Sequence, residues 1–462
     1  MQLLRLYARL LLLIMPMALQ SPGFAEGYVV PPAFVKDGLS ARLPDQHRSP
    51  LAAEQLEDTA LDLNKTIYLA LQADPQIKSA VEGIYQAEAD LVTAKLPPNP
   101  VMNVSNTLMP LNQSFNVNRQ GGPPQFDLGV AYPIDWFVFG KRAAEMRAAQ
   151  LGVEVARASV NDTIRLRIAG AIAAFYDVLE AQNLQALAQE DFTELAALKA
   201  LTEKRVLIGG AGSIELDRVN LSLLSSQTEL RAKRVAVENA ISRLKAFLGM
   251  QKNKVIHVVG SLEIEHPQPI SDPEHLIQMA EENRPDIAML KRQIEQSVGN
   301  IELEEVKAYP SVVTHLGVTR QFQKEAIGFP DQNAWGIGVD VSLPVFDRNQ
   351  GNIAKAKSLK RQSELDLDTQ LIELRSEIER NYHIYDASYL VLVNEADTKL
   401  GVSKVIRDKM KAAYALGGKS LFELLDAQRN YRETNRVHIM TLSNYWHSLY
   451  ALNAAIGKQV LK

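Results

Sequence analysis

The sequence predicts a mainly α chain made of two tandem copies of one unit, each copy adding two strands to a membrane β-barrel that several chains must share. Three observations carry this. Proline is absent between Pro133 and Pro267 and again after Pro344, so two blocks are free to run as unbroken helices. Residues recur between the halves at a nearly constant offset, as Ala70, Pro75 and Ile77 do in Ala280, Pro285 and Ile287, which marks duplication rather than a short solenoid repeat. Between helical stretches lie segments of strict apolar–polar alternation, as long as a membrane-spanning strand.

From the N-terminus, Arg5 and Arg9 precede the apolar run Leu10 to Leu19, and Gly23-Phe24-Ala25 offers small residues for cleavage. Residues 1–25 therefore read as an export signal, followed by an extended segment over 26–59. No cysteine occurs in the 462 residues, so neither a disulfide nor a thiolate metal site is available and packing alone must hold an exported chain together. A net charge of -4 gives no basic surface for nucleic acid. The 23% of charged residues excludes both a disordered chain and a polytopic helical membrane protein.

The first copy is expected over 60–265 and the second over 266–462. Each opens with a short helix. The strands follow: Val101 to Leu108 and Gln125 to Ile134 in the first copy, Ser311 to Gln321 and Trp335 to Val345 in the second. In the last of these Trp335, Ile337, Val339, Val341 and Leu343 alternate with Gly336, Gly338, Asp340 and Ser342, so the odd residues should face lipid, with Val339 near mid-membrane. Phe126, Leu128, Val130 and Tyr132 form the matching row of their strand, and Trp136, Phe137, Phe139 and Phe346 gather where an interfacial belt would lie. Four strands cannot close a barrel, and an open sheet edge is not tolerated in lipid; three chains would supply twelve strands.

Long helices come next. Ile164, Ile168, Ile172, Phe175 and Leu179 recur at helical spacing, so Gly140 to Ile208 reads as one helix about 100 Å long. Gly351 to Leu416 reads as its counterpart. Each ends in a glycine turn, Gly209-Gly210-Ala211-Gly212 or Gly417-Gly418, and a return helix of half the length runs to Gly249 or Gly457. These are two helical hairpins with glycine tips.

The sequence carries no nucleophile elbow, phosphate loop or His-Glu-x-x-His motif, and no catalytic residue, cofactor or metal ligand is predicted. His438 and His447 are too far apart on one helix to chelate an ion, and Glu265-His266 and Glu274-His275 read as surface residues. The informative constellation is the second tip, Tyr414 to Gln428. Glu423 and Asp426 share a helical face; repeated around an axis they would form stacked acidic rings of the kind that selects cations. Capping of the helix by Ser420 and an acidic first turn is the plainer use of the same residues. Tyr414 and Lys419 flank the turn and are placed to hold it closed through neighbouring helices.

Over nearly the whole mature chain these residues resemble the TolC-type outer-membrane efflux family: Leu61 to Pro75 is similar to its first helix, Arg284 to Ile287 to the counterpart, and Tyr414 to Gln428 to its periplasmic turn, with Lys419 where the family has arginine and Glu423 where it has aspartate. Pro344 to Gly351 resembles the CzcC-type heavy-metal branch. The resemblance implies a homotrimer in the outer membrane of a Gram-negative bacterium, a twelve-stranded barrel continued by a periplasmic α-helical barrel. It implies a passive conduit, not an enzyme, acting with a periplasmic adaptor and an inner-membrane pump of the resistance-nodulation-division class. Glu423 and Asp426 would be the constriction, Tyr414 and Lys419 the latch, and Gly209, Gly210, Gly212, Gly417 and Gly418 the tips that meet the adaptor. Heavy-metal cations are the expected cargo; drugs, other small molecules or secreted polypeptides are alternatives, and a periplasmic structural coiled coil is the competing class.

Overall fold

The computed structural model describes residues 60–460 apart from 120, 251–253, 265, 266 and 271. The expected export signal and the segment 26–59 lie outside the described residues, as does the Glu265-His266 pair. The described residues fall within one unit.

Each copy opens with two helices joined at a bend. Helix α1 (Leu63–Ala73) is capped by Asp62, which accepts from the Lys65 amide at 2.7 Å. Asp74 then caps α2 (Pro75–Lys95), accepting from the Gln76 amide at 2.7 Å. Pro75 at the first helical position needs no amide partner, so the bend costs no backbone bond. Strands β1 (Val101–Thr107) and β2 (Gln125–Pro133), the short α3 (Asp135–Val138), the 67-residue α4 (Lys141–Leu207) and α5 (Ser213–Phe247) complete the copy. The second copy follows the same plan with its short helix between the strands: α6 (Pro273–Asn283), α7 (Pro285–Lys307), β3 (Val312–Gln321), α8 (Gln323–Ile327), β4 (Gln332–Val341), α9 (Gln350–Val391), a π-helical turn at Leu392–Ala396, α10 (Asp397–Ala415) and α11 (Leu421–Ile456). The single helix expected from Gly351 to Leu416 is thus interrupted. The turn takes up one extra residue through i→i+5 bonding, and Leu392–Ala396 holds no glycine or proline to mark the place. None of the described helices is long and apolar enough to cross a membrane.

The four strands form one antiparallel sheet in the order β1-β2-β3-β4. Its register sorts the side chains as the alternation predicts. Met102, Val130, Leu316 and Ile337 lie side by side in one row, and Val104, Leu128, Val318 and Trp335 in the next; Met102, Trp335 and Ile337 are each more than two-thirds exposed. The opposite face is polar. Asp127 there accepts from Thr319 at 2.6 Å and Thr107 at 3.3 Å, and His315 bonds Asp340 at 2.5 Å. Asn103, Gly129, Gly317 and Gly336 form a transverse row on this face at mid-height. The last strand ends at Val341 rather than Val345, because Pro344 cannot extend the ladder; Ser342 makes the closing bond to Ser311. Ile337, not Val339, therefore sits at mid-strand.

The helices form an open layer of four rods. Towards the tips neighbouring contacts run α5-α4-α11-α10, and towards the sheet α2-α4-α7-α9. Two glycines make the handover. Gly249, at φ +58°, lies so close to the Ala73 carbonyl that a Cβ would come within 2.4 Å of it, so α5 ends against the α1–α2 bend. Gly457, at φ +76°, ends α11 against Asn283 and Arg284 in the same way. Both need glycine for the left-handed backbone and for the close approach. Leu276, Ile287, Leu374, Ile378, Tyr445 and Leu449 are buried in the core joining α6, α7, α9 and α11, where Tyr385 and Tyr445 share a hydroxyl bond of 3.0 Å.

Candidate functional site

The hairpin tips are built from one cap used twice. Gly209 takes φ +74° and Gly417 φ +76°. In each, two amides fold back on the helix: Gly209 and Gly210 donate to Val206 and Arg205 carbonyls, Gly417 and Gly418 to those of Tyr414 and Ala413, at 2.8–3.1 Å. This left-handed glycine cap satisfies carbonyls that a helix end leaves free. Gly212 precedes α5 with no side-chain cap.

Ser420 precedes α11 with a full capping box. Its hydroxyl accepts from the Glu423 amide at 3.3 Å while Glu423 accepts the Ser420 amide at 3.0 Å. Lys419 donates to the other Glu423 oxygen at 2.6 Å. The Lys419 bond, joined by those from the Ser420 amide and hydroxyl, pulls the Glu423 carboxyl down to about 2; it is ionised at every physiological pH. Asp426, one turn on, accepts from Asn430 at 3.2 Å and has no cation beside it among the described ion pairs. Glu423 and Asp426 do share a helix face, but Glu423 is occupied within its own helix.

Tyr414 and Lys419 are not brought together. Lys419 turns inward along α11 to Glu423, whereas Tyr414 is buried against the first hairpin. Its hydroxyl lies 3.2 Å from Thr202 Oγ1 and donates weakly to Glu215 at 3.5 Å. The Arg205 guanidinium stands 4.4 Å from its ring centroid and donates to the Tyr414 carbonyl at 2.8 Å and to that of Gly210 at 3.0 Å. Leu195, Leu198, Val219, Leu421 and Leu424 close an apolar cluster around it. One buried tyrosine thus clamps the second tip to the first. Farther from the tip, Arg407 reaches Glu190 at 3.1 Å and lies over the Tyr431 ring at 3.9 Å, and Lys411 pairs with Glu194. A cavity of about 180 Å³ lies between these residues and Tyr414. The sequence reading missed Arg205, Thr202, Arg407 and Lys411. Arg205 alone carried a signal, a basic residue in the last turn before a glycine cap.

A model of outer membrane efflux proteins matches residues 66–250 and 276–458, one match to each copy. The chain belongs to this family. It is 24% identical over 407 residues to the cobalt-zinc-cadmium resistance protein CzcC of Cupriavidus metallidurans, covering 86% of this chain and 90% of that one. Its fold is that of the solved CusC structure, with a TM-score of 0.71 at 17% identity over 90% of this chain and 99% of that one. The Campylobacter jejuni CmeC outer membrane channel superposes with a TM-score of 0.70 at 20% identity, over 96% and 95% of the two chains. The protein is accordingly an outer-membrane channel component of a Gram-negative bacterium, with its helices in the periplasm. The row through Met102 and Ile337 is the apolar face of the sheet, and Asp127, His315 and Asp340 lie on the polar one.

Proposed function

We propose that three copies of this chain close into one conduit that carries heavy-metal cations out across the outer membrane, together with a periplasmic adaptor and an inner-membrane pump of the resistance-nodulation-division class. The observation that carries the trimer is that both layers are open with unlike edges. The sheet ends in β1 on one side and β4 on the other, and the lower helical layer ends in α5 and α10. Ile214, Leu221 and Leu224 stand exposed on α5, and Val402, Val405 and Ile406 on α10. Unlike edges mate head to tail, and such an interface forms a ring where the rotation closes; three chains bring the sheet to twelve strands, an allowed barrel size. A detergent-solubilised particle of three chains is expected; a particle of one or two chains, with no larger species on crosslinking, refutes it.

The cargo rests on the likeness to the cobalt-zinc-cadmium resistance protein and on the Pro344 to Gly351 segment. Loss of the gene should sensitise cells to cobalt, zinc or cadmium while leaving tolerance of dyes and detergents unchanged; the reverse pattern assigns the channel to organic solutes. Within this reading Glu423 and Asp426 line the constriction, Tyr414 and Lys419 hold the entrance shut, and the turns at Gly209, Gly210, Gly212, Gly417 and Gly418 meet the adaptor. Asp426 supplies most of the field, because Glu423 shares its charge with Lys419 and carboxylate rings act on cations at close range. In planar bilayers the Glu423→Gln/Asp426→Asn variant should lose cation preference and divalent block. If both persist, these acids serve only α11.

A further inference from the structure

The two copies use one buried ion pair at the same place with opposite sign. In the first, Asp74 at the α1–α2 bend is fully buried and accepts from Arg167 of α4 at 2.6 Å. In the second, Arg284 at the α6–α7 bend is almost fully buried and donates to Glu377 of α9 at 2.5 Å. The correspondence is position for position, since 284 − 74 and 377 − 167 are both 210. A third position follows the exchange. Gln76 stands two residues after Asp74, whereas Asp286 stands two residues after Arg284 and binds it at 3.0 and 2.7 Å.

Nothing in the backbone requires the reversal. Both bends place a proline at the first helical position, both opening helices have 11 residues, and both receive the glycine end of a return helix. The opening helices of either copy could therefore seat on the long helix of the other, within a chain or between chains. Such exchange is the characteristic misassembly of duplicated proteins. Crossed seating would bury Asp74 against Glu377, and Arg284 against Arg167. Like charges held in an apolar joint repel strongly, and each would also forfeit the partner that offsets its desolvation.

We propose that this reversed polarity is an address: it fixes which opening helices seat on which long helix, so the two copies cannot trade places as the chain folds and the ring assembles. The inference concerns the copies within the chain and stands whichever cargo passes.

The test gives both copies the same polarity. The variant Arg284→Asp/Asp286→Gln/Glu377→Arg transplants the first copy's three residues into the second, keeping a matched pair in each joint and restoring a helix-capping acid at the bend. Arg165, which also approaches Asp286, keeps its bonds to Asp162 and the Ala454 carbonyl. Each local pair is intact, yet the yield of heat-resistant trimer in the outer membrane should fall about tenfold, because crossed and native seating now bear the same charges. Adding Asp74→Arg/Gln76→Asp/Arg167→Glu reverses both copies and makes their polarities unlike again; yield should return to within about twofold of the wild type. A three-substitution variant that assembles like the wild type overturns the proposal. So does a six-substitution variant that assembles no better than the three-substitution one, since the pairs would then act only as local bonds.

Discussion

Replacing Ile337 with arginine tests the orientation of the sheet most sharply. A ten-residue strand tilted about 40° spans roughly 25 Å, the height of the apolar band of an outer-membrane barrel. Ile337 lies midway along β4, 74% exposed in the single chain and in register with Leu316, Val130 and Met102. Arginine facing lipid at mid-height costs about 2–4 kcal/mol. Repeated in three subunits and taken as additive, the penalty is about 6–12 kcal/mol per barrel, comparable with the whole stability of an ordinary domain. Ile337→Arg should therefore block insertion, and Val339→Arg, closer to the periplasmic interface, should do so less. Asp340→Asn keeps a bond to His315 on the other face and should cost less than about 1 kcal/mol. Heat-modifiable migration of folded barrels reads all three. Normal insertion of Ile337→Arg beside failure of Asp340→Asn would mean that the faces are assigned the wrong way round.

Further expectations concern the tips. Tyr414→Phe loses bonds to Thr202 and Glu215 and should destabilise the joint between hairpins by about 1 kcal/mol, whereas Tyr414→Ala opens a cavity costing about 3–5 kcal/mol; amide exchange near Gly417 would report both. Gly417→Ala must hold φ +76° and should lower stability by about 1 kcal/mol, while Gly418→Ala, at negative φ, should be close to neutral in thermal melts. Because the folded Glu423 pKa is depressed to about 2, its contribution is present in full above the ordinary glutamate range and is lost as pH falls through that range towards 2. Exchange protection of the first turn of α11 should persist at pH 4 in the wild type and be weaker at that pH, and independent of it, in Glu423→Gln.

The long helices were legible because a proline-free block holds no residue that must break the helical ladder, the π turn at Leu392–Ala396 apart, and the strands because period two assigns every side chain to a face. Strand ends were less so: Leu343 and Val345 continue the alternation past the last ladder bond, and only the position of Pro344 explains where pairing stops. At the tip the residue types were readable and their partners were not. Tyr414 is held by Thr202 and Arg205, more than two hundred residues away in the chain, and no local pattern encodes such a contact. Lys419 could be expected to reach outward or inward. It turns inward because Glu423 stands four residues on, at helical reach. Arg284 was visible as a counterpart of the Asp74 position, but its meaning depended on finding Arg167 and Glu377 opposite.

With the polar face of the sheet turned to the bore, the transverse row of Asn103, Gly129, Gly317 and Gly336 would leave the wall at mid-height mostly peptide backbone. A solute passing that level meets amide dipoles, water and one asparagine from each chain. Enlarging those glycines would act as a throttle, cutting flux for bulky solutes before small ones without changing charge preference.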